Sequence, residues 1–266
     1  MRSAAARVNP DPPNPPRLEI TRAELERAAR KLLAHLVPAP LIGALTLPGH
    51  PVPQELRVKP EVLQPSGSVW YRGALHAALA RLGTTKGIVA AGTARRMLAA
   101  ACVASAHRLP CRGVLTRDRA SEVEALLCAH GAETELVADA QEAEARCAEL
   151  IAKTGFVRAA GPGDRDYDLG LATLALELDE GLPSDAAVVH VGSAALVEPL
   201  RAGFAALGSV RRGTLAPEPA EAGEVERVVR AVDLGLRLRI GASSGRAVLA
   251  AAADAAPGPR CAVLCE

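Results

Sequence analysis

Apolar residues recur along this chain in two ways, at intervals of three or four in some stretches and as short unbroken runs in others. Leu25, Ala28, Ala29, Leu32, Leu33 and Leu36 fall at helical spacing. Thr21 and Glu24 stand before them at capping-box spacing, so a first helix is expected to end near Val37, ahead of Pro38 and Pro40. Residues 55–58 read as a short strand and 70–82 as a helix. From there the patterns alternate, with strands at 87–91, 112–116 and 133–137 and helices at 93–106, 119–130 and 140–153. Beyond these, helices are expected at 169–178, 195–207, 224–236 and 243–253, and strands at 186–191 and 261–265. Two stretches break the rhythm: 155–168 reads as a long polar loop, and 209–222 as a proline-containing connection.

Strands and helices in alternation, joined by short turns, are the signature of β-α units around a parallel sheet, so the fold class expected is α/β. Residues 1–19 are rich in proline and read as a disordered tail.

Composition narrows the partners. With 31 basic and 30 acidic side chains and a net charge of +1, nothing draws the chain to nucleic acid or to an anionic membrane, and 2% aromatics give no stacking platform for bases. None of the six cysteines lies in a C-x-x-C pair, and they read as small buried hydrophobes of a reducing compartment. The first twenty residues lack a signal-peptide core, and no run reaches the roughly 18 apolar residues that span a bilayer. A cytoplasmic location is expected. The six histidines show no metal-ligand spacing, so no metal site is expected.

The chain is organised around residues 63–80, LQPSGSVWYRGALHAALA. A polar, glycine-containing turn leads into an apolar helical run, which collects backbone N–H groups and hydroxyls at a helix start, a setting suited to an anion. Gln64, Ser66, Gly67, Ser68, Arg72, Gly73 and Ala74 resemble the cofactor-lysine segment of the tryptophan-synthase-like (fold type II) pyridoxal phosphate enzymes, the superfamily of threonine and serine dehydratases and cysteine synthase. The lysine position of that segment is Trp70. An indole has a single weak donor and forms no imine.

The resemblance runs from about residue 55 to 266 and implies two parallel-sheet, three-layer domains, shortened relative to a working dehydratase: a larger one from 20–74 and 156–266, and a smaller inserted one from 75–155. It implies substrate-binding counterparts at Ser66, Gly67 and Gly92, and cofactor-binding counterparts at Ser68, Thr93, Gly192, Ser193, Ala194, Ala195 and Cys265. Most are altered: Thr93 stands for asparagine, and Ser193, Ala194 and Ala195 interrupt a glycine cup, where the alanines are expected to crowd the pocket. Thr173 and Glu177 match another segment of the family and read as a helix surface. The four lysines, Lys31, Lys59, Lys86 and Lys153, read as surface amines, and Arg95 and Arg96 as a solvated basic pair.

The resemblance thus implies a scaffold that has lost its amine. The expected function is that of a catalytically inactive relative of the dehydratases, with no covalent cofactor, acting as a partner, a regulatory protein or a binder of a small anion or amino acid, alone as a homo-oligomer or beside an active homologue. Two alternatives stay open. One is an active serine or threonine ammonia-lyase holding pyridoxal phosphate noncovalently or through another lysine; the other is a purely structural protein.

Overall fold

A computed structural model describes residues 17–43, 56–118, 120–184, 188–216, 223–253 and 259–265. Most of the expected tail, and parts of the stretches at 55–58, 119–130, 186–191 and 209–222, lie outside the described residues.

The first helix, α1 (Arg22–Leu33), has its capping box: the Thr21 side chain accepts from the Glu24 N–H and the Glu24 side chain reaches back to the Thr21 N–H. It stops short of Val37 because Val37 is held elsewhere. The Val37 N–H donates to Gln64 Oε1 and its carbonyl accepts from Gln64 Nε2, both at 3.1 Å, which ties the end of the first helix to the organising turn.

Eight strands form two four-stranded parallel sheets among the described residues. The first has the order β1 (Leu56–Lys59), β8 (Arg260–Val263), β6 (Val188–Val191), β7 (Arg212–Leu215), and the second β4 (Ala132–Val137), β3 (Cys111–Thr116), β2 (Ile88–Ala91), β5 (Val157–Arg158). Two parallel-sheet α/β units are the expected architecture. The central strands β2 and β6 read as short apolar runs, IVAA and VVHV, because both sheet faces are covered there. On β8, Cys261 and Val263 face one core with Val189, Val191 and Leu75, and Ala262 and Leu264 face another with Leu56, Val58, Val228 and Val248.

The helices covering the sheets are α2 (Trp70–Arg81), α3 (Ala94–Ala106), α4 (Ala120–Ala129), α5 (Ala140–Thr154), α6 (Arg165–Ala172), α7 (Leu174–Gly181), α8 (Val197–Leu207), α9 (Glu224–Leu236) and α10 (Ala242–Ala253). On the second sheet, Met97, Val123 and Leu127 from α3 and α4 pack on one face and Ala143, Cys147 and Leu150 from α5 on the other. No helix among the described residues is long and apolar enough to cross a membrane.

Three expectations need correction. The polar loop at 155–168 contains β5, too short at two residues to leave a periodic trace, and Asp164, whose carboxylate accepts from the Asp166 and Tyr167 N–H groups and caps α6. The single helix expected at 169–178 is two, α6 and α7, parted at Thr173, whose hydroxyl turns back to the Gly170 carbonyl at 2.7 Å. The connection at 209–222 holds the edge strand β7, whose sequence RGTL offers no apolar alternation.

Candidate functional site

Parallel strands deliver their following loops to one edge, and ligand sites of α/β folds gather there. In this chain the turns after β2 and β6 face the start of α10 across a cleft of about 430 Å³ with Trp70 in its wall. Thr93, Arg95 and Arg96 come from the start of α3, Gly192 and Ser193 from the end of β6, and Gly241, Ser243 and Arg246 from the start of α10. A second cleft of about 600 Å³ lies beside it, along the ends of β2 and β5, and Arg96 lines both.

Trp70 begins α2 and is 4% exposed. The Arg96 guanidinium lies over its ring, 5.0 Å from the centroid, a cation–π pairing. Arg96 is therefore no solvated surface cation: it is half-buried, and its Nε is buried without a hydrogen-bond partner among the described residues. Arg95 is exposed, as expected, and reaches over the organising turn, where its Nη1 is 3.6 Å from where a Cβ on Gly67 would stand. Gly67 has φ +68°, the left-handed turn that a glycine makes without strain.

The candidates of the organising turn are close together but mostly covered. Ser66 and Ser68 are buried with their hydroxyl oxygens 3.1 Å apart, and the Val69 N–H donates to the Cys265 carbonyl at 3.0 Å, so the last described residue anchors the start of α2. Cys265 is itself fully buried. Gly92, with φ +118°, turns the chain from β2 into α3, and Thr93 sits at the N-cap with no side-chain cap bond, which leaves its hydroxyl to the cleft it lines.

Around β6 the expectation of crowding alanines is corrected. Ala194 is exposed and Ala195 packs on the core, and neither is among the residues lining the cleft. The crowding comes from α10: a Cβ on Gly192 would stand 1.8 Å from the Ser243 carbonyl oxygen, so the backbone of the two segments is already in contact there. The Arg246 Nη2 donates to the Gly192 carbonyl at 3.3 Å and braces the same junction. Ser243 and Arg246 were not among the residues picked from the sequence. The signal was a glycine and serines at 241–244 ahead of an apolar helical run, the same kind of helix start as at 66–70.

Lysines do not line either cleft. Lys31, Lys86 and Lys153 are exposed, Lys86 at the opposite end of β2 from the cleft. Lys59 departs from its expected place at the surface: it is 2% exposed, with Nζ donating to the Ala39 carbonyl and to Glu177. It belongs to a network of two cations and two anions in which Lys59, Arg72 and Glu61 are buried and Glu177 is partly exposed. Arg72 pairs with Glu61 through two hydrogen bonds and with Glu177 Oε1 at 2.6 Å, and Lys59 lies 3.8 Å from Glu61. Burial works against the Arg72 charge, yet Glu61 and Glu177 together hold its pKa above the ordinary value. Burial likewise works against the Glu177 carboxylate, and Arg72 and Lys59 outweigh it, so its pKa lies below the usual range. Thr173 is buried, and Glu177, though partly exposed, is taken up by Lys59 and Arg72, so neither is the plain helix surface expected.

The model of the pyridoxal-phosphate dependent enzyme family matches residues 32–241. Among curated proteins none matches the chain. Similar solved structures include a pyridoxal 5'-phosphate-dependent aspartate racemase (TM-score 0.77, 19% identity, covering 94% of this chain and 96% of that one). A serine racemase from Dictyostelium discoideum is alike (TM-score 0.77, 18% identity, 93% and 97%), as is a threonine deaminase from T.th. (TM-score 0.77, 20% identity, 92% and 97%). At these identities the likeness establishes the fold, and it spans both chains nearly end to end. With the family model covering most of the sequence, the chain belongs to the family of pyridoxal-phosphate dependent enzymes.

Proposed function

We propose that this member of the family has left imine chemistry and uses the interdomain cleft to bind a small anion, as a regulatory or partner protein. The observation that carries this reading is the pairing in the wall of the cleft, an indole at the position resembling the cofactor lysine, covered by the Arg96 guanidinium. An imine-held pyridoxal phosphate does not fit the residues present. It needs an amine within bonding reach, and the buried amine of Lys59 is already engaged by Glu177 and the Ala39 carbonyl. The site residues proposed for ligand contact are Thr93, Ser193, Ser243, Arg95 and Arg96, with Gly67, Gly92 and Gly192 shaping the turns that present them. The domain boundaries proposed are 20–74 with 156–266 for the larger unit and 75–155 for the smaller. Within these boundaries β2, β3 and β4 of the second sheet belong to the smaller unit, and its edge strand β5 at Val157–Arg158 comes just after the chain returns to the larger one.

The test is a titration of the purified protein with pyridoxal phosphate, followed by absorption spectroscopy and by borohydride reduction with peptide mass analysis. The expected result is free-aldehyde absorption only, no reduced adduct on any of the four lysines, and no ammonia from serine or threonine. An adduct on one lysine together with release of ammonia would overturn the reading in favour of an active lyase.

A further inference from the structure

We infer that the cleft over Trp70 is selective for a small dianion without an ammonium group, a phosphate monoester or a dicarboxylate, and discriminates against free amino acids. This deepens the anion-binding reading and rests on it. The first support is charge. Arg95, Arg96 and Arg246 line the cleft, and no carboxylate does among the described residues, whereas the neighbouring cleft has Asp164 in its lining, 2.6 Å from Arg81, and its Arg158 is paired with Glu144 at 2.6 Å. An amino acid brings an ammonium that would lie beside three guanidinium groups, with no carboxylate among the described lining residues to receive it. A dianion can meet Arg95 and Arg96 together, with Arg246 engaged on the Gly192 carbonyl beside them.

Geometry supplies the second support. The Arg96 guanidinium lies over the Trp70 ring, 5.0 Å from its centroid, and a guanidinium carries five N–H donors in the fork that a carboxylate or phosphate accepts from. One of those donors, Nε, is buried and unpartnered among the described residues. Trp70 thus contacts the cation through its ring and supplies no hydrogen-bond acceptor of its own. Neutral donors complete the set: the hydroxyls of Thr93 and Ser193 line the same cleft, and the start of the 13-residue helix α3 presents its first-turn amides with no side-chain cap over them.

Trp70 is the only tryptophan, so its emission reports directly on this cleft. The protein is titrated with inorganic phosphate, succinate and L-serine at constant ionic strength, with sodium chloride as the screening control and calorimetry as the second readout. Saturable binding of phosphate or succinate is expected at a Kd at least tenfold below that of L-serine, weakened at least tenfold in Arg95→Gln and in Arg96→Gln. Phosphate alone saturating marks a phosphoryl ligand, and succinate alone a dicarboxylate. The inference is overturned if L-serine binds as tightly, if sodium chloride alone reproduces the change, if neither dianion saturates, or if both variants keep their affinity. Arg95 is exposed, so its variant tests the cleft without risk to the fold. A borohydride-fixed lysine adduct alongside undiminished phosphate binding would remove the reading of lost imine chemistry and leave the dianion selectivity standing. Absence of both adduct and dianion binding removes the selectivity and the anion-binding reading and leaves the loss of imine chemistry standing.

Discussion

Arg72 and Glu61 face each other through two parallel hydrogen bonds, Nε to Oε2 at 2.7 Å and Nη2 to Oε1 at 2.8 Å, with side chains 1% and 0% exposed. The bond joins the start of α2, where Trp70 stands, to the segment after β1, and Glu177 extends it to α7. Removing one member leaves the network one charge out of balance around buried groups, so Glu61→Gln or Arg72→Met is expected to cost about 3–5 kcal/mol of stability, read as a lower urea midpoint. The double variant is expected to cost less than the sum of the two, the signature of direct coupling.

Asp168 acts in the opposite sense to these paired groups. Burial pushes its carboxyl up to about 6, with the charges of Asp164 and Glu198 adding to the rise and the Gly163 N–H, 2.9 Å from Oδ2, opposing it. The folded chain therefore holds this proton more tightly than the unfolded chain, and stability contributed by the group is present at low pH and lost as pH rises from about 4 through about 6. Asp168→Asn keeps an acceptor for Gly163 and is expected to gain up to about 3 kcal/mol at pH 8 and nothing near pH 4. Denaturant midpoints of the two proteins across that range decide the matter; equal midpoints at pH 8 would count against it.

Gly192 is fixed by space rather than by backbone angle. A methyl group there meets the Ser243 backbone, which has no rotamer to yield, so Gly192→Ala is expected to cost at least ~3 kcal/mol and to part α10 from β6. Ala194→Gly, at an exposed position on the same turn, is the control and is expected to change stability by less than about 1 kcal/mol.

Trp70→Lys restores the type of residue that the family resemblance implies but not its surroundings. Arg96 would face the new ammonium, Thr93 remains at the neighbouring turn, and Ser243 still closes on Gly192. No 2-oxobutanoate is expected from threonine with this variant and added pyridoxal phosphate, by a coupled reductase assay.

Five of the six cysteines are buried and Cys128 is exposed. Burial pushes the Cys102 thiol up to about 11 and those of Cys111 and Cys261 up to about 12, which suppresses the reactive thiolate. One equivalent of an aromatic disulfide reagent is expected to react under native conditions, lost in Cys128→Ser, and six in denaturant.

Helices with a wide apolar face and strands buried on both sides left clear traces in the sequence, and α9 spans the same residues as its pattern, 224–236. What stayed hidden were features fixed by neighbours remote in sequence. Two-residue β5 exists because β2 offers it an edge, and β7 because β6 does. The Trp70 position was legible from the turn before it. The Arg96 stacking and the burial of Lys59 were not, because each requires a side chain from another element to supply the environment that favours it. Ser243 escaped for the same reason, since its role comes from the approach of α10 to a glycine far earlier in the chain.

The position of β8 between β1 and β6 has a consequence for synthesis of the protein. Its strand is the middle plank of the first sheet, in register with Leu56–Lys59 on one side and Val189–Val191 on the other. The second sheet draws all four strands from consecutive sequence and is free to close while translation continues. The first must wait for residues 260–263 to leave the ribosome, so until then β1 has its bridge to Ile42 but no parallel partner, and the pocket wall built on that sheet is completed after the second sheet.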